Sequence, residues 1–146
     1  MTDERDENGA LHQIGEVAEI VGLSLRTIRH YDEVGVVPPS GRSTGGFRLY
    51  TEADIDRLRL VKHMKPLEFT LEQMKELLQA RDRLASCDDA AEARELRDRV
   101  AMYAAAADQR CERLREQLAQ VEEFASMLRT EARPSGRTPR TDTTRP

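Results

Sequence analysis

Tryptophan is absent from this chain of 146 residues, and aromatic side chains make up only 4% of it. With 38% hydrophobic residues, so little aromatic bulk supports one small core plus an extension, not two full domains. Cysteine is also scarce: Cys87 and Cys111 stand 24 residues apart, which excludes a secreted disulfide framework. No run of about 18 apolar residues occurs, so no helix is expected to span a membrane. The opening residues, MTDERDENGA, lack the basic-then-apolar order of a secretory signal, so a cytoplasmic location is expected. No nucleophile–base pair and no phosphate-binding loop is present, and the expectation is a protein that is not an enzyme and needs no cofactor. Lysine is rare at 3 against 20 arginines, a bias that fits a GC-rich genome better than a particular function.

What the chain has in quantity is charge. Asp, Glu, Lys and Arg make up 34% of it, and the net charge is -4. The total conceals a segregation. Residues 24–65 carry eight Arg or Lys against five acids, a local +3, while residues 1–12 carry four acids and one arginine. Whole-chain charge governs solubility, not what one face binds. An acidic total is therefore no obstacle to a basic DNA-binding surface.

Residues 1–11 have no periodicity and are expected to be a disordered acidic lead-in. Ile14, Val17, Ala18 and Val21 then follow helical spacing, and Gly22 closes that helix. Ser24 caps a second helix from Leu25 to about Val34, ended by Gly35. Two short helices joined by Gly-Leu-Ser read as a helix-turn-helix. In VVPPSGRSTGGFRLY, residues 36–50, β-forming residues flank a Pro- and Gly-rich centre. This predicts a two-stranded wing that uses Val36 and Val37 on one side and Phe47 to Tyr50 on the other. Thr51 with Asp54 forms a capping box for a third helix, stopped near Pro66, and Thr70 opens a fourth. A break is expected from Leu84 to Cys87.

From about 87 to 131 one long helix is predicted, roughly 65 Å at 1.5 Å per residue. Its apolar residues are Leu96, Val100, Tyr103, Ala107, Cys111, Leu114, Leu118, Val121, Ala125 and Leu128. Their spacings of 4, 3, 4, 4, 3, 4, 3, 4 and 3 form a heptad seam with one stutter. A protomer this small cannot cover such a seam, so the helix predicts a homodimer. Residues 132–146, rich in Thr, Pro and Arg, are expected to be a disordered basic tail.

On the second helix, Leu25 and Ile28 are expected to face the first helix. Arg26, Thr27 and His30 point the other way, where arginine can pair with guanine and threonine can meet a hydrogen-bonding edge or a thymine methyl. Arg29 and Tyr31 lie at the flanks and suit phosphates, as do Arg42 and Arg48 in the wing and Lys65 at the end of the third helix.

The run IGEVAEIVGLSLRTIRHYDEVGVVPPSGRSTGGFRLYTEADIDRL closely resembles the winged-helix DNA-binding domain of the MerR family of bacterial transcription regulators. The likeness covers about residues 13–82. It implies a mainly α fold: a winged helix-turn-helix domain over 12–83 with a small β-hairpin wing, then a coiled-coil dimerisation helix over 87–131 that pairs antiparallel. It also implies a homodimer on a palindromic promoter element with a long spacer, bending and untwisting the DNA so that RNA polymerase engages both hexamers. Double-stranded promoter DNA, a second copy and RNA polymerase are thus the implied partners, in the bacterial nucleoid. By matched position the DNA contacts are Arg26, Arg29, His30, Tyr31, Arg42, Phe47, Arg48 and Lys65, with Thr27 from the helix wheel. Phe47 stands where the family has tyrosine, and Glu68 where glycine is common. Metal-sensing members place two cysteines beyond the long helix. No cysteine follows Cys111, so no metal site is expected. Two other readings stay open: an architectural or partner-docking DNA-binding protein without an inducer, and thiol redox sensing through Cys87 or Cys111.

Overall fold

The computed structural model describes residues 9–136; the expected lead-in and tail fall mostly outside them, over residues 1–8 and 137–146. The described residues divide into two compact units that part between Ala107 and Asp108. In order, the elements are β1 (His12–Gln13), α1 (Ile14–Val21), α2 (Leu25–Glu33), β2 (Gly41–Arg42), β3 (Arg48–Tyr50), α3 (Glu52–Met64), α4 (Leu71–Ala85) and α5 (Ala90–Glu131). A 3₁₀ turn, Lys65–Leu67, separates α3 from α4.

The turn between α1 and α2 follows from two local devices. Gly22 adopts a left-handed conformation (φ 75°) and donates its N–H to the carbonyl of Ala18. The positive φ is what disfavours a side chain there; an added Cβ would also lie 2.8 Å from Lys62 Nζ, which would have to shift. That ammonium donates to the carbonyl of Val21 at 2.9 Å, satisfying the end of α1 from α3. Ser24 then caps α2, its hydroxyl accepting from the Thr27 N–H at 3.1 Å.

The wing differs from the hairpin expected of residues 36–50. Its sheet has three strands in the order β1-β3-β2, with β3 central and antiparallel to both neighbours. His12 pairs with Tyr50 and Gln13 with Leu49, so residues just past the predicted lead-in supply a strand. Val36 and Val37 form none. Both donate their N–H groups to the carbonyl of Tyr31, at 2.8 and 3.1 Å, and both are buried. Their hydrogen bonds close the end of α2, and Pro38 and Pro39 after them have no N–H for a ladder.

The core joins α1, α2, the loop after α2, β3, α3 and α4, with Val17, Ile28, Val37, Tyr50, Ile55 and Leu58 fully buried. Leu25, expected beside Ile28, is instead 39% exposed. It occupies the first helical position, and helical side chains lean toward the N-terminus, so it leans off the end of α2 and away from the core. Both expected helix starts are capping boxes, Thr51 with Asp54 and Thr70 with Gln73. Asp54 does more than cap. The residue is 3% exposed, and its carboxylate accepts from the Thr51 N–H and the Ser40 hydroxyl and receives Arg57 Nη1 at 3.2 Å. Arg57 also reaches Asp82 on α4 at 2.8 Å. Glu68 holds a left-handed conformation (φ 59°), which explains why glycine suits this position; the strain is about 1 kcal/mol.

The beginning of α5 packs on this domain. Leu96 is buried, and Val100 and Tyr103 lie against the core. Tyr103 packs edge-on to Phe69 and donates its hydroxyl to Glu76 at 2.7 Å. Burial first, and then that bond, push the Tyr103 phenol up to about 12. Three residues assigned to the dimer seam from their spacing are therefore covered by their own protomer. The stripe is real, but α4 lies close enough to take its first turns. Beyond Ala107 the seam residues Cys111, Leu114, Leu118, Val121 and Leu128 are exposed in the protomer, with Phe124 and Met127 beside them.

His12 links β1 to two helices. Its Nδ1 lies 2.9 Å from Glu16 on α1 and its Nε2 lies 2.6 Å from Glu52 on α3. The Glu16 carboxylate, and then that of Glu52, raise its pKa above the ordinary 6.5. Because the folded value is raised, the latch contributes fully below the unfolded pKa and is lost as pH rises through the folded one. An NMR titration of the His12 ring is expected to show a midpoint above 6.5 that falls in the Glu16→Gln, Glu52→Gln double variant. A midpoint unmoved by both substitutions refutes the latch.

Candidate nucleic-acid interface

Helix α2 divides its residues between core and solvent. Ile28 and Tyr31 point inward, while Arg26, Arg29 and His30 are exposed and Thr27 is half-buried. The Thr27 hydroxyl lies 2.8 Å from that of Ser24, so the cap already engages the group expected at base edges. Tyr31, expected at the flank of the helix, is only 3% exposed. It shares the buried face with Ile28 because the two are three residues apart, and burial raises its pKa. Only the rim of Tyr31 reaches the outer surface.

The structure brings distant parts of the chain to the exposed face of α2. A broad concavity of about 900 Å3 is lined by Arg26, Thr27, Arg29, His30 and Tyr31, by Lys65 from the turn after α3, and by Leu71 and Met74 of α4. Lys65 lies 36 residues beyond Arg29, and the packing of α3 and α4 supplies what spacing could not. Glu33 is the acid on this surface. Among the described residues Arg26, Arg29 and Lys65 have no carboxylate partner, so their charges are available to a ligand.

The wing arginines are placed differently. The tip is a tight loop in which Ser43 donates its N–H to the Phe47 carbonyl, and Gly46 donates to Ser43. Phe47 is exposed on this tip, but Arg42 and Arg48 turn back toward α2. Arg48 Nε donates to Asp32 at 2.6 Å, and Arg42 Nη2 lies 3.7 Å from the same carboxylate. The bond to Asp32 raises the pKa of Arg48 further. Asp32 was not among the residues singled out in the sequence. It lies 10 and 16 residues from its partners across a loop, and no local pattern announces such a pair.

The surroundings of Cys87 do not set it for thiol chemistry. The Cys87 thiol donates to Glu92 at 3.4 Å and to the Asp89 carbonyl at 3.3 Å. Reactive thiols favour electropositive settings, and the nearby Arg83 is taken by Glu92 at 2.6 and 3.1 Å. That bond to Arg83, and then the thiol, lower the pKa of Glu92. Cys111 is exposed on the outer part of α5. Among the described residues no three His, Cys, Asp or Glu side chains gather in a metal-binding arrangement.

Residues 13–81 match the model of the MerR HTH family of regulatory proteins. The HTH-type transcriptional activator mta of Bacillus subtilis is 42% identical over 67 residues, covering 46% of this chain and 26% of that protein. A probable heavy metal-dependent transcriptional regulator of Haemophilus influenzae is 33% identical over 112 residues, covering 76% of this chain and 83% of its own. The HTH-type transcriptional regulator ZntR of Escherichia coli is 41% identical over 71 residues, 49% of this chain and 50% of that one. The chain thus spans a quarter of the first of these relatives, most of the second and half of the third. Among solved structures, HiNmlR, described as a MerR family regulator lacking the sensor domain and bound to promoter DNA, superposes with a TM-score of 0.54. It is 23% identical, over 84% of this chain and 87% of its own, a likeness of fold.

Proposed function

This chain belongs to the MerR HTH family of regulatory proteins, and we propose that it is a homodimeric regulator that binds promoter DNA. The observation that carries the proposal is the concave surface on which Arg26, Arg29, His30 and Lys65 converge with no carboxylate partner among the described residues. A duplex is a polyanion, and cations left unneutralised by the protein release counterions when they meet phosphate. Arg26 and His30, nearest the start and middle of the exposed face of α2, suit the major groove. Arg29, Lys65 and the rim of Tyr31 suit the backbone on either side. In the wing, Arg42 and Phe47 are large side chains exposed to solvent.

A single domain presents one such surface. Two copies joined through the exposed seam of α5 present two, and a two-fold dimer reads a palindromic element. Held on both half-sites, the dimer acts on the spacer between them by bending and untwisting it for RNA polymerase. The work depends on the deformability of the DNA between the contacts.

Transcription in vitro by purified RNA polymerase, from a promoter whose spacer is too long for it alone, tests this reading. Addition of the protein is expected to activate such a promoter, with activation lost when the spacer is shortened. Tight binding with transcription indifferent to spacer length would instead indicate an architectural or docking protein.

A further inference from the structure

The cations in this domain fall into two sets. Arg26, Arg29 and Lys65 are unpaired among the described residues, whereas both wing arginines meet one carboxylate, Asp32, in the last turns of α2. The Arg48–Asp32 contact is short at 2.6 Å, and the two side chains are only 23% and 15% exposed. Arg42 is 52% exposed, lies 3.7 Å from Asp32, and gives its Nη1 to the Gly46 carbonyl at 3.2 Å across the wing loop. Arg48 belongs to β3, whose ladders to β1 and β2 hold the whole wing. The sheltered pair is therefore a side-chain tie between the wing and the recognition helix.

With Arg42 drawn to the backbone, moving the Arg48 guanidinium to a phosphate as well would leave Asp32 sheltered and uncompensated, and it would bring DNA up to a bare carboxylate. Both effects oppose the move. Arg42 faces neither obstacle, since it is half exposed and loosely held. We propose that Asp32 is a positioning residue: it fixes the wing to the recognition helix through Arg48 and keeps that arginine out of the set that neutralises phosphate, leaving Arg42 as the wing cation that meets the backbone. The proposal rests on the DNA-binding reading.

Counting phosphates by salt dependence separates the two arginines. Affinity of the full chain is measured between low and moderate salt on a random-sequence duplex and on a duplex selected by the protein itself from a random pool. For Arg42→Gln the slope of log affinity against log salt is expected to shrink by roughly 0.9 per protomer. For Arg48→Gln the slope is expected to stay at the wild-type value while affinity for the selected duplex falls about tenfold, the order of one lost charge-assisted bond. Asp32→Asn releases Arg48, so its slope is expected to steepen while preference for the selected duplex declines. The Asp32→Asn, Arg48→Gln double variant is expected to return the slope to the wild-type value. A slope reduced by Arg48→Gln as much as by Arg42→Gln overturns the proposal, because Arg48 is then a phosphate contact. If Arg48→Gln is too unstable to measure, the Asp32→Asn slope decides: steeper supports the tie, unchanged overturns it. Wild-type protein that binds neither duplex rejects the DNA-binding reading itself.

Discussion

Replacing Leu114 and Leu118 by glutamate in the full chain is expected to yield a folded monomer that binds its DNA site about 10²–10⁴-fold more weakly than wild type. The direction follows from exposure. Leu114 is 43% and Leu118 56% exposed in the protomer, so neither substitution removes a contact that folds the domain. In a paired seam the same positions are buried, and facing glutamates bring like charges into an apolar interface, which costs several kcal/mol. The magnitude follows from linkage. When two half-sites are read by one dimer, the second contact forms at a high effective concentration, and a monomer loses that advantage without losing any contact to its own half-site. Sedimentation equilibrium checks the mass, anisotropy titration checks the affinity, and thermal unfolding checks that the domain is intact. Dimers that persist with normal affinity refute the assignment of the seam. A cut near residue 90 is a poorer test, because it also removes Ala93, Leu96, Val100 and Tyr103, which pack on the domain of their own chain.

Asp54→Ala is expected to destabilise the domain by about 3 kcal/mol. Asp54 is 3% exposed, and its carboxylate answers three groups: the Thr51 N–H at the head of α3, the Ser40 hydroxyl and Arg57. Alanine leaves the first two without this partner in a sheltered place, and it removes half of a capping box. The arginine is affected least, since it keeps Asp82 at 2.8 Å. Asp56→Ala is the control. That side chain is 71% exposed and, among the described residues, holds Arg59, three residues on, so the change is expected to lie within about 0.5 kcal/mol. Urea unfolding of both variants checks the contrast. Equal midpoints for the two would show that burial of Asp54 adds nothing to stability. A loss of this size is a large share of a small domain's total, so reduced DNA binding in Asp54→Ala is expected to come from unfolding and not from the interface.

Much of this architecture is written locally and was legible for that reason. A cap needs only residues i and i+3, so Ser24, Thr51 and Thr70 announced three helix starts, and Gly22 and Gly35 announced two ends. The heptad spacing of α5 likewise needs only one helix to be visible. Misreadings arose where partners are distant. Val36 and Val37 have the composition of a strand, yet the carbonyl of Tyr31 takes both their N–H groups. His12 and Gln13 have no strand signal of their own; β3 recruits them from 36 to 38 residues away. Tyr31 reads as a flank residue on a helical wheel, but the core closes over its ring.

The candidate interface divides in the same way. That α2 is an amphipathic helix with Arg26, Arg29 and His30 on its exposed face is a property of nine consecutive residues, and sequence alone determined it. That Lys65, expected at the interface, lines the same concavity as α2, that Arg48 is bonded to Asp32, and that Leu96, Val100 and Tyr103 are covered by their own domain were decided by the tertiary packing. The physical reason is range. Hydrogen bonds that cap a helix and periodicities that make it amphipathic act within a turn or two of chain, whereas an ion pair or a covered apolar stripe exists only once segments far apart in sequence have packed together.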